Sequence, residues 1–127
     1  MSDSENKQKT DKKIDGILCL KNVTKKFGDN VVLDDLSVCI EKGKTTVVLG
    51  PSGCGKTVFI KHLIMLLRPT DGEVYYRDRR LDTLSERELN HYRLKFGFLF
   101  QNGALFDSMT VAENILFPVK QHLGIKD

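Results

Sequence analysis

Apolar and polar positions change period along this chain, and each change marks an element. "GILCLKNVTKKF" places Ile17, Cys19 and Val23 on one alternation, with Leu18 and Leu20 between, as an edge or half-buried strand would. "VVLDDLSVCI" repeats the pattern with Val31, Leu33, Leu36, Val38 and Ile40, and "FGDN" between the two runs reads as a turn. "EKGK" forms a hairpin-like turn around Gly43. The β-branched, nearly continuous apolar run "TTVVLG" that follows predicts a strand buried on both faces. From Lys56 onward the spacing becomes helical at Phe59, Ile60, Leu63, Ile64 and Leu67, and Arg68-Pro69 closes the run.

The second half continues in shorter pieces. "PTDGEV" is a turn and "EVYYRDRRL" a short strand or hairpin arm. Ser85 stands three residues before Glu88, a capping-box start for a helix over about 86–94. "FGFLFQ" predicts an aromatic strand ending at Gln101, and "NGALFDS" a loop. Thr110 and Glu113 form a second capping box, with Pro118 expected to kink or end that helix early. The elements amount to a small antiparallel β region, one strand–loop–helix unit and a peripheral strand–helix extension. That is the front half of an α/β nucleotide-binding domain.

Composition narrows the picture without redrawing it. The chain has 127 residues, enough for one domain, of which 40% are hydrophobic and 29% charged. No apolar run approaches the roughly 18 residues that cross a bilayer, so direct membrane insertion is not expected. Residues 1–13 are polar and mixed in charge, with the composition of a disordered tail rather than a secretory signal, and the domain is assigned to 14–127. The net charge of +3 comes from dispersed lysines, which gives no footprint for nucleic acid. Cys19, Cys39 and Cys54 lack C-x-x-C spacing and are expected as reduced thiols in a cytosolic protein.

The chemistry is concentrated in "GPSGCGKTV", residues 50–58. Gly50, Gly53 and Gly55 allow the backbone to curl so that successive N–H groups face a polyphosphate, with Pro51, Ser52 and Cys54 filling the loop. The helix behind adds the positive end of its dipole. Lys56 supplies an ammonium for the outer phosphates, and Thr57 a hydroxyl for Mg²⁺. An apolar strand pattern before the loop and an amphipathic one after it are the context this motif needs. Phe27 on the first turn is either a base-stacking face or a packed core ring, and Gln101, taken alone, reads as a strand-end surface amide. His62, His91 and His122 are read as surface or packing residues.

These runs, "VTKKFGDNVVLDDLSVCIEKGKTTVVLGPSGCGKT", "GEVYY" and "FGFLFQNGALFDSMTVAENILFPV", closely resemble the ATPase subunits of ATP-binding cassette transporters from about residue 17 to 122. The resemblance implies a P-loop NTPase nucleotide-binding domain that binds ATP and Mg²⁺. Phe27 would be the aromatic that stacks on adenine, Val32 would line the adenine–ribose pocket, and Gln101 would meet Mg²⁺ or the attacking water. Val58 replaces the second hydroxyl usual in the family, which leaves its N–H but removes a side-chain bond worth roughly 1 kcal/mol. "GALFDSMTVAENILFPV" is most similar to the ATPases of lipid-asymmetry and toluene-tolerance importers, with amino-acid-type importers as the alternative. The loop Asn102–Thr110 would then face an integral membrane permease, and the protein would lie at the cytoplasmic face of the inner membrane beside a second ATPase subunit. Leu105, Phe106 and Met109 in that loop either tuck under the local helix or form a patch for the partner.

Later family motifs do not occur in these residues: no LSGGQ segment, no apolar strand ending in Asp-Glu, no switch histidine. The resemblance therefore implies an N-terminal portion with an incomplete core and no complete catalytic set. Such a chain would bind nucleotide without hydrolysing it efficiently alone. A non-catalytic ATP-binding module stands as the alternative from another class.

Overall fold

The computed structural model describes residues 16–124. The expected tail at 1–13 lies outside them. Two compact units follow one another, one reaching to Phe96 and the other beginning at Gly97.

The first unit is built on an antiparallel sheet of order β2-β1-β3-β4. Strands β1 (Leu18–Phe27) and β2 (Asn30–Ile40) form a hairpin around Gly28 and Asp29, as the alternation predicts. β3 (Asp71–Tyr76) pairs with the other edge of β1, and the two-residue β4 (Arg79–Arg80) returns from it through Arg77 at φ 52°. The register slips at Asn22, which takes φ 50°, a left-handed value asparagine tolerates better than most residues. Its side-chain amide donates to Asp35 Oδ1 at 2.8 Å and fixes the bulge. The inner face of the sheet meets helix α1 (Lys56–Leu63) and the 81–89 region over a core that includes Leu20, Val23, Phe59, Met65, Val74 and Leu89.

Helix α2 (Glu86–Arg93) starts at the Ser85 capping box, with both reciprocal bonds present. Two arginines tie it down. Arg68 donates to the carbonyls of Asp82 and Leu84 and to Glu86, and Arg93 donates to Glu86 and to the Met65 carbonyl. The second arginine explains why α1 stops short of Arg68-Pro69. Met65 turns left-handed at φ 55°, its N–H returns to the His62 carbonyl, and Arg93 holds its carbonyl from 28 positions away.

Three expectations need correction here. The 45–50 run is unpaired, with Val47 70% and Leu49 87% exposed, and residues 96–100 in "FGFLFQ" are likewise unpaired. A strand exists only against a hydrogen-bonding neighbour, and among the described residues neither segment has one. In the second unit α3 (Val111–Leu123) begins at the Thr110 capping box but does not end at Pro118. None of its residues is buried, so water can serve the carbonyl that loses its helical donor.

The third correction concerns thiols. Cys19 and Cys39 occupy directly opposed positions of β1 and β2, with Cα atoms 4.1 Å apart, and are joined as a disulfide, while Cys54 is free and exposed. Register, invisible in cysteine spacing, made the pair. The bond closes a loop of 20 residues, for which chain entropy gives about 3 kcal/mol. A denaturation midpoint lowered by reductant in the native protein, and insensitive to it in Cys19→Ser, is the expected result.

Among the described residues His62 is the one buried polar side chain, a packing histidine as expected. Its Nδ1–H donates to the Val58 carbonyl at 2.6 Å, and Nε2 has no partner. Burial first, and the nearby Lys25 charge second, hold its pKa below 6.5, while the Val58 carbonyl opposes them. The unfolded chain takes up a proton near pH 6.5 that the folded one refuses. Stability is therefore retained above that pH and falls as pH drops below it. Urea midpoints at pH 7.5 and 5.5 should differ in that direction, and His62→Gln should reduce the difference.

Candidate functional site

The segment from Gly50 to Thr57 folds as a tight loop leading into α1. Gly53 and Gly55 take φ 79° and 97°, values that an L side chain rarely adopts. Gly55 is the N-cap of α1, with no side-chain cap and no acid in the first turn. The first helical bond runs from Phe59 N–H to the Gly55 carbonyl at 2.8 Å. The N–H groups of Lys56, Thr57 and Val58 therefore have no acceptor in the helix, and the helix dipole adds to their pull on an anion.

Space around the loop is set by its neighbours. A Cβ at Gly55 would lie 3.0 Å from Val32 Cγ1 and 3.2 Å from the Val32 carbonyl, so β2 carries the loop directly. A Cβ at Gly50 would lie 2.6 Å from Cys54 Sγ. Lys56 arches back over the loop, its Nζ donating to the carbonyls of Gly50 and Pro51 at 2.5 and 2.7 Å. The ammonium thus stands at the mouth of the loop, held by acceptors weaker than a phosphate oxygen.

The structure gathers most of the sequence-predicted positions in the first unit. Val32 abuts Gly55, and Ser52 and Thr57 are exposed on the loop. Val58 turns away and packs against the core, so only its main chain faces the loop. Phe27 ends β1 and is 47% exposed, which excludes the packed-core alternative. Gln101 lies in a turn of the second unit and is exposed. In that unit Leu105 is 74% exposed, Met109 half-buried, and Phe106 rests its ring on Phe117 at 4.8 Å between centroids. Phe106 and Met109 thus lean on the local helix, while Leu105 does not tuck under it. Asn114 braces the loop by donating to the carbonyls of Phe106, Met109 and Thr110.

A cavity of about 510 Å³ opens beneath the loop, lined mainly by apolar residues such as Leu36, Val38, Val47 and Phe59, with Asp34 and Lys56 also on its wall. Among the described residues, no group of three or more His, Cys, Asp or Glu could hold a metal. A hydroxyl such as that of Thr57 fits an ion that arrives already bound to phosphates.

Sequence reasoning missed the folded-back Lys56, which depends on loop carbonyls, and the disulfide, which depends on register. No helix among the described residues is long and apolar enough to cross a membrane.

Comparison with known proteins agrees with this geometry. Residues 33–126 match the ABC transporter family. The chain is 42% identical over 108 residues to the intermembrane phospholipid transport system ATP-binding protein MlaF of Haemophilus influenzae, covering 85% of this chain and 41% of that protein. It is 43% identical over 108 residues to the probable ribonucleotide transport ATP-binding protein mkl of Mycobacterium leprae, covering 85% of this chain and 31% of that one. Among solved structures, the ATP-binding cassette MJ0796, described as a dimer in a post-hydrolysis state bound to ADP and Pi, superposes with a TM-score of 0.76 at 34% identity, over 87% of this chain and 50% of that one. The chain thus spans half or less of the length of each. Glycine loop, antiparallel sheet and sequence agree: this chain belongs to the ATP-binding cassette transporter family.

Proposed function

We propose that this chain is the nucleotide-binding portion of an ATPase subunit that couples ATP hydrolysis to transport across the inner membrane, with phospholipid as cargo. The observation that carries the reading is the loop itself. Left-handed Gly53 and Gly55, an uncapped helix start and the Lys56 ammonium converge where a triphosphate needs donors. The main-chain amides of residues 53–58 would hold the phosphates, with Thr57 and Gln101 as Mg²⁺ ligands. Phe27 and Val32 would take the base and ribose.

Similarity to a phospholipid transport ATPase supports the cargo, as does the run "GALFDSMTVAENILFPV". The loop Asn102–Thr110, with Leu105 exposed, would meet an integral membrane permease from the cytoplasmic side. A second ATPase subunit is the expected partner, in keeping with the dimeric solved cassette.

The 127 residues contain no Asp-Glu strand end to polarise the attacking water. The chain by itself should therefore bind Mg-ATP saturably while releasing phosphate at the background rate. Both are measured on one preparation, by nucleotide titration and by phosphate release. Turnover that disappears in Lys56→Ala would contradict the incomplete catalytic set. Absence of saturable binding would contradict the site.

A further inference from the structure

We propose that Lys25 is a positioning residue for the nucleotide base, fixing the Phe27 ring so that one side alone is offered for stacking. The inference rests on the reading of Phe27 and the 50–57 loop as a nucleotide site and adds a residue to it. Lys25 is half-buried, two positions before Phe27 on β1. Its Nζ stands over the Phe27 ring, 5.1 Å from the centroid, and donates to the Arg68 carbonyl at 2.8 Å. One ammonium therefore joins the aromatic to the segment that follows the phosphate-loop helix.

Two further bonds make this connection a fixed one. Thr70 N–H donates to the Thr24 carbonyl at 2.9 Å, and Lys26 N–H donates to Thr70 Oγ1 at 3.0 Å. The end of β1 is thus laced to residues 68–70 at three successive positions, and Lys25 is the one whose side chain reaches the ring.

A phenylalanine that is 47% exposed has freedom to turn its ring, and stacking a base on it costs that freedom. The cation removes part of the cost in advance, because the ammonium is attracted to the electron-rich ring face and its tether to Arg68 prevents it from following the ring elsewhere. With one side occupied, the base has a single side to approach. Lys25 touches neither phosphate nor loop in this arrangement, so its effect should appear with a base present and vanish without one.

The experiment compares Lys25→Met, which keeps the stem and loses the charge, with Lys25→Arg, which keeps a cation. Affinities for ATP and for inorganic tripolyphosphate are measured by calorimetry on the full chain. Lys25→Met should weaken ATP roughly five-fold and leave tripolyphosphate unchanged, with Lys25→Arg nearer the native protein. In a Phe27→Leu background the Lys25→Met change should have no further effect. ATP affinity equal to native in Lys25→Met would overturn the proposal while leaving the nucleotide site intact. Parallel loss of both ligands would overturn it too, because it would assign Lys25 to the support of the loop. Native protein that binds neither ligand would overturn the site reading and this inference together.

Discussion

Lys56→Ala should weaken ATP binding by roughly 100-fold or more, the largest single effect expected in the site. The ammonium lies against the carbonyls of Gly50 and Pro51, at the mouth of a loop whose inward donors are main-chain amides. Those two neutral acceptors give way readily to phosphate oxygens. Charge-assisted hydrogen bonds are each worth about 1.5–3 kcal/mol, and two of them to the outer phosphates reach the stated magnitude. Folding should be nearly unaffected, because the bonds that alanine removes, to the Gly50 and Pro51 carbonyls and to Cys54 Sγ, are all exposed. Displacement of a fluorescent nucleotide measures the first quantity and a thermal scan the second. A variant that binds within three-fold of the native protein would show that the ammonium does not grip the ligand.

Gly72→Ala should be the most damaging change to the fold, at about 4 kcal/mol from overpacking and backbone strain together. Gly72 faces the Asn22 bulge across the β1–β3 pairing, at φ 96°. A Cβ there would lie 2.3 Å from the Asn22 carbonyl oxygen and 2.6 Å from both the Asn22 carbonyl carbon and Val23 Cα. All three atoms are main chain, so no side-chain rotation relieves the overlap. Relief would have to come from shifting β3 against β1, and Val23 and Val74 beside the bulge are fully buried. For a domain whose total stability is of the order of 5–15 kcal/mol, such a loss takes a large share. Urea unfolding measures it, and a change below about 1 kcal/mol would mean that the sheet accommodates the methyl group by a route the structure does not show.

What could be read from the chain beforehand divides by range of interaction. The capping boxes at Ser85 and Thr110, the hairpin turn at Gly28 and the glycine loop are decided within a few residues, and all four are found where the pattern puts them. Apolar content in 45–49 and 96–100 gave the right composition for strands, but pairing is a property of the neighbour, and the described residues provide none. The early end of α1 turns on Arg93 reaching Met65, and the disulfide on a register that places Cys19 opposite Cys39. Neither distance is encoded locally. Pro118 does not end α3, because a helix with no buried face tolerates a missing bond that a packed helix would not.

The site divides the same way. The tight turn from Gly50 to Thr57, with left-handed Gly53 and Gly55, was legible from glycine spacing alone because it is shaped by the main chain within a few residues. Val32 needed its contact with Gly55 before it had a place beside the loop, and Phe27 needed its exposure before the packed-core alternative fell away.

Main-chain chemical shifts of the ¹⁵N-labelled chain, followed while Mg-ATP is added, test the anion-binding loop most directly. The amides of Gly53, Gly55, Lys56 and Thr57 should move furthest and saturate together, because their hydrogens are the ones that change partner. Saturation of ATP binding with those four resonances unmoved would place the triphosphate elsewhere and contradict the account.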